Sequence, residues 1–149
     1  MRTTLLAAFV LALSAAILAQ NPHEAPAKQK AASKHKAVFQ MNVADNDSWD
    51  DLIGNIVNMQ AAFRKDGVQI EVVFFAKGVT ALLKTNSWYE DRLKKVAADG
   101  VILAVCQNSM RAKKITSQDL FPFATEVDSG VAELVRKQEA GWSYIRAGQ

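Results

Sequence analysis

The sequence predicts an α/β protein: a mostly parallel sheet of about five strands between two helix layers. Three observations carry this. Short β-rich runs alternate with amphipathic stretches along the chain, in the order βαβαβαβαβ. Two of the runs, Val72–Phe75 and Val101–Val105, are continuously apolar, as expected of strands buried on both faces of a parallel sheet. The connections are short, which forces right-handed crossovers and packs helices onto the sheet.

The elements follow in order. Ala37 to Val43 is β-rich and forms the first strand, broken by Asn46, Asp47 and Ser48. Ser48 with Asp51 resembles a capping box, and Asp50 and Asp51 suit the positive end of a helix. Trp49, Leu52, Ile53, Ile56, Met59 and Phe63 then recur every three to four residues, one apolar face of a helix that Gly67 terminates. Val68 to Phe75 is the second strand. Gly78 to Lys84 holds a short helix, and Tyr89, Leu93, Val96 and Ala97 mark another, closed by Asp99-Gly100. Val101 to Val105 is the third strand and runs into Cys106. Gln107 to Lys114 is expected to be helical. Thr116 with Asp119 caps a short turn before Pro122, and Phe123 to Val127 forms a fourth strand. Ser129 caps a last helix with Val131, Leu134, Val135 and Gln138 on one face. Gly141 ends it, and Trp142-Ser143-Tyr144-Ile145 alternates as the final strand.

The chain has 149 residues, half of them hydrophobic and 22% charged. This is the size and balance of one globular domain. The net charge of +3 suggests nucleic acid only until its distribution is read. Arg2 and the lysines at 28, 30, 34 and 36 supply the excess, and Ala37–Gln149 holds 13 basic and 14 acidic residues. A nucleic-acid groove is therefore excluded. Arg2 followed by the apolar run Leu5–Leu18 reads as a secretory signal peptide over residues 1–19. The run is shorter than the roughly 20 residues of a membrane span. Residues 20–36, rich in Ala, Lys, Gln and Pro, read as a flexible leader containing His23 and His35. The single domain is 37–149. The expected location is periplasmic or secreted, with no membrane attachment after signal cleavage.

Several chemistries lack their residues. No glycine-rich dinucleotide turn, phosphate-binding loop or nucleophile elbow is present, and no histidine lies in 37–149, so neither a Ser-His triad nor a Cys-His dyad can be built. One cysteine gives no internal disulfide and no cysteine-based metal cage. Asp45, Asp47, Asp50 and Asp51 overlap a helix start, where acids serve capping and the helix dipole. No metal and no cofactor are implied. Cys106 is the sharpest feature. It stands at the carboxyl end of a buried strand, where ligands gather in open α/β sheets, and beside the start of the next helix. Backbone N–H groups there favour a thiolate, and Arg111, Lys113 and Lys114 add positive charge. A lone cysteine is equally at home as a small buried hydrophobe, and both readings stand on the sequence alone.

The segment Cys106-Gln107-Asn108-Ser109-Met110-Arg111 resembles the cysteine segment of DsrE/DsrF-like proteins. Ser129 to Arg136, with Gln138 and Gly141 to Ile145, resembles the C-terminal signature of small exported bacterial members, and Asn55 and Asn58 match that subgroup. The resemblance spans about Lys36 to Arg146. It implies a small flavodoxin-like three-layer sandwich that assembles as a trimer or hexamer, with the matching cysteine carrying sulfur as a persulfide to a partner protein. Carried onto this chain, the sulfur carrier is Cys106. Where many of the subgroup have a His-Gly-x-Gly-like turn after the second strand, this chain has Phe75-Ala76-Lys77-Gly78, so any role of that histidine is lost. Two functions follow. One is a periplasmic sulfur carrier, sulfurtransferase-like at most, with protein sulfur donors and acceptors. The other is a non-catalytic binding or assembly module with a structural cysteine, whose pocket is lined by Asn42, Asn108 and Ser109 with Arg111 beside it. Trp88, Phe121 and Phe123 are candidates for an intersubunit patch, or else cover the ends of their own sheet.

Overall fold

A computed structural model describes residues 33–148; the expected signal peptide, most of the leader and His23 lie outside them. Five strands form one sheet: β1 (His35–Met41), β2 (Val68–Phe74), β3 (Ile102–Cys106), β4 (Ala124–Val127) and β5 (Ser143–Ala147). All pairings are parallel, in the order β4-β3-β2-β1-β5. The helices are α1 (Asn46–Ala62), α2 (Glu90–Ala98), α3 (Gln107–Ala112) and α4 (Gly130–Glu139). Short 3-10 turns lie at Ala76–Leu82, Ser87–Tyr89 and Ser117–Asp119. The expected parallel α/β sandwich is the fold observed.

The topology explains how the helices are shared out. The chain steps from β1 to β2, β3 and β4 in one direction across the sheet. Right-handed crossovers then place every connecting helix on one face. The return from β4 to β5 runs the opposite way, so among the described residues α4 alone lies on the other face. The cores agree. On the first face Phe39, Met41, Val72, Phe74, Leu103 and Val105 pack with Leu52, Ile56, Leu93, Val96 and Met110. On the second, Val38, Val73 and Ala104 pack with Leu134.

Local differences from the sequence reading have clear causes. β1 begins at His35, inside the expected leader, because the Lys34 and His35 N–H groups bond the carbonyls of Asp66 and Gly67. His35 is therefore in the fold, stacked on Phe63 at 3.9 Å. It sits at the amino end of β1, the opposite end of the sheet from Cys106, and so does not pair with the thiol. α1 starts two residues before Ser48: Asp45 takes the N-cap, its carboxylate accepting from Ser48 N–H at 2.8 Å. Within the acidic cluster Asp50 pairs with Arg92. α3 stops at Ala112, short of Lys114. The capping box of Thr116 and Asp119 and the Ser129 cap form as expected. Phe121 is buried, with Phe123 stacked on it at 5.1 Å, so these two rings cover their own domain while Trp88 stays 84% exposed.

The inward side of α4 departs most. Leu134 is buried, but Val131 and Val135 are 60% and 52% exposed. The helix instead turns Gly130, Leu134 and Lys137 to the sheet, a spacing of four and three residues. Gly130 allows close approach, and Lys137 reaches Glu71 of β2 at 2.5 Å. Neither residue counts as apolar in a periodicity reading, so of the expected face Val131, Leu134, Val135 and Gln138 only Leu134 is buried.

Candidate functional site

Cys106 ends β3 and immediately precedes α3, with an extended backbone (φ −76°, ψ 114°). Register places it beside Val127 of β4, one step beyond the pairing of Phe74 with Val105. From these adjacent strands the chain leaves to opposite faces, β3 into α3 and β4 into α4. An open parallel sheet has its binding crevice where neighbouring connections diverge in this way. The cysteine therefore occupies the topological switch point, between the starts of two helices.

Gly130 makes that position possible. A Cβ there would come within 2.9 Å of Phe75 Cβ and 3.2 Å of Cys106 Cβ. Its absence lets the first residue of α4 settle against the thiol. Ser129 fixes this helix start by accepting from Ala132 N–H at 3.5 Å. The third neighbour is the turn after β2. Ala76, in the left-handed region at φ 50°, donates its N–H to Ser109 Oγ at 2.8 Å. Gly78 anchors the turn, because a Cβ at that position would run into the Met41 carbonyl.

The electrostatics follow from these contacts. Cys106 is only 4% exposed, and burial pushes its pKa up. The Ser109 hydroxyl and the backbone N–H groups of Gly130, Ser109 and Asn108 outweigh burial and hold the thiol below its ordinary value. The sulfur does not close a side-chain capping bond to α3, so the α3 N–H groups act on it as oriented dipoles. The site thus favours a thiolate with neutral donors.

The sequence-selected residues divide accordingly. Ser109 and the Asn108 backbone meet Cys106. The Asn108 side chain instead accepts from Arg111 on the exposed side of α3, so the expected cationic support from Arg111 is directed away from the sulfur; Lys113 and Lys114 are exposed as well. Asn42 follows β1 on the same sheet edge, but β2 and its turn intervene. Two strand spacings put it about 10 Å from Cys106. Sequence reasoning missed Gly130 and Ala76. The Ser129 cap signalled a helix start, yet only the pairing of β4 with β3 brings that start to Cys106.

A small parallel α/β domain with one cysteine at its switch point is the class of protein these features define. The DsrE/DsrF-like family model matches residues 14–147, and the chain belongs to that family. Among solved structures, it is similar to MTH1491 from Methanobacterium thermoautotrophicum, a protein of unknown function. The two are 34% identical over 75% of this chain and 98% of that one, with a TM-score of 0.71. The ychN protein from E. coli shares the fold, at 16% identity over 75% of this chain and 98% of that one, TM-score 0.60. No curated protein is significantly similar to the chain.

Proposed function

We propose that the protein is an exported sulfur carrier acting through Cys106. The observation that carries this reading is the placement of the cysteine at the sheet's switch point, beside Val127 of β4 and at the start of α3, with Gly130 of α4 packed against its Cβ. The Ser109 hydroxyl and the nearby backbone N–H groups favour its anion. Family membership supports it, and so does the presence of one cysteine, which leaves no resolving thiol to turn a persulfide into a disulfide. The thiolate attacks the terminal sulfur of a persulfide or polysulfide donor. The new bond is Cys106 Sγ–S, the donor's S–S bond breaks, and its electron pair leaves with the donor thiolate. Transfer to an acceptor thiolate repeats the exchange and frees Cys106. No external oxidant or reductant is needed.

The exported location rests on the Leu5–Leu18 run, and the donor and acceptor are proteins or small polysulfides of the same compartment. We propose in addition that the chain acts as a homo-oligomer. The test is direct. Mature protein treated with inorganic polysulfide gains one reductant-labile sulfur by mass spectrometry, and Cys106→Ser gains none while melting at an unchanged temperature. Absence of uptake by the folded wild type overturns the carrier. The 4% exposure of Cys106 favours the second reading, a binding or assembly module with Cys106 as packing. That reading expects alkylation only after denaturation.

A further inference from the structure

We propose that Ser109 is a positioning residue for the Cys106 anion: the Phe75–Gly78 turn occupies its oxygen with the Ala76 N–H, which leaves the hydroxyl proton for Sγ. This rests on the reading of Cys106 as the sulfur carrier and adds how its reactive state is set.

A serine hydroxyl has one proton and two lone pairs. Here the oxygen accepts from Ala76 N–H at 2.8 Å. Among the described residues, no carbonyl or carboxylate accepts from Ser109. Accepting a bond on oxygen also polarises the O–H and strengthens what it donates. Ser109 stands three residues after Cys106 on the first turn of α3, so the hydroxyl and the sulfur share one side of that turn.

The turn that supplies the Ala76 N–H is held in place at a cost. Ala76 keeps φ 50°, a region an alanine enters only when its surroundings impose it. They do so through Gly78, whose N–H bonds the Phe75 carbonyl at 2.9 Å and whose missing Cβ admits the Met41 carbonyl. Backbone strain of this kind gathers where a group must be aimed. The object aimed here is a peptide N–H, and through Ser109 it acts on the sulfur.

The experiment titrates the thiolate of the mature protein by its ultraviolet absorbance, with Cys106→Ser as the blank. Ser109→Thr and Ser109→Val have nearly the same shape and differ in the hydroxyl. The valine variant is expected to titrate about one pH unit higher, a tenfold loss of thiolate below the midpoint, with the threonine variant near wild type. Ser109→Ala, which cannot crowd the site, should match valine. Equal midpoints for the threonine variant and the hydroxyl-free variants overturn the proposal. Sulfur uptake is measured separately. A wild type that takes up no sulfur refutes the carrier, and the hydroxyl dependence of the titration still decides the role of Ser109.

Discussion

Around Cys106, three small residues answer to backbone geometry more than to side-chain chemistry. Gly78 and Gly130 are fixed by atoms that a Cβ would strike. Ala76 sits at φ 50°, where glycine is the comfortable residue. Ala76→Gly removes the left-handed penalty, roughly 1–2 kcal/mol, and gives back part of it as unfolded-state entropy. A net gain of about 0.5–1 kcal/mol is expected, read as a higher urea midpoint at unchanged slope. Gly130→Ala pushes α4 off the thiol. It should cost about 1–3 kcal/mol by overpacking and raise the thiol's titration midpoint, because the Gly130 N–H withdraws from the sulfur. A destabilised protein with an unchanged midpoint would show that this N–H plays no part in holding the anion.

At the scale of elements, α4 shows what was legible in the sequence and what was not. Its cap and end were readable from Ser129 and Gly141. The strands were readable because parallel burial leaves continuous apolar runs, as in Val101–Val105. Cys106 was readable as a strand end turning polar. The inward face of α4 was not, because it is made of a glycine, a leucine and a lysine. Lys137 bridges Glu71 at 2.5 Å and Glu133 at 3.5 Å, and lies 4.5 Å from the Trp142 ring. Glu71 is 2% exposed with one oxygen unpartnered. Burial raises its pKa, and the attraction of Lys137 does not fully offset this. The fold thus holds the Glu71 proton more tightly than the unfolded chain does. Stability is lost as pH rises from the ordinary glutamate value through the raised one. Glu71→Gln should flatten that part of the stability profile. Lys137→Met leaves the carboxylate alone and should cost about 3 kcal/mol near neutral pH, whereas Glu71→Leu with Lys137→Met should be neutral or stabilising. Additive behaviour of the two changes in thermal melts would mean that the pair is not coupled.

Among the described residues the sheet is covered unevenly, and the proposed assembly rests on that. Among the described residues, one face of the sheet carries α1, α2 and α3 and the other carries α4 alone, as right-handed crossovers require. α4 is left with Val131 and Val135 exposed one turn apart, and Ile102 and Tyr144 are half-open on strands β3 and β5 of the same face. In the other layer, the turn before α2 holds Trp88 almost fully in solvent. A two-fold dimer needs one self-complementary patch. A closed three-fold ring needs two different patches on each chain, because its interfaces are heterologous. The α4 stripe and Trp88 lie on opposite layers and supply such a pair, so the proposed oligomer is a trimer or a pair of trimers in which one chain's α4 meets the Trp88 side of the next. Light scattering should give three or six times the single-chain mass. Val135→Glu and Trp88→Ala should each shift the protein to monomer, since breaking either half of a heterologous contact opens every interface in the ring. Dissociation by Val135→Glu alone would indicate a two-fold contact through α4. A single-chain mass for the wild type over a wide concentration range would remove the assembly altogether.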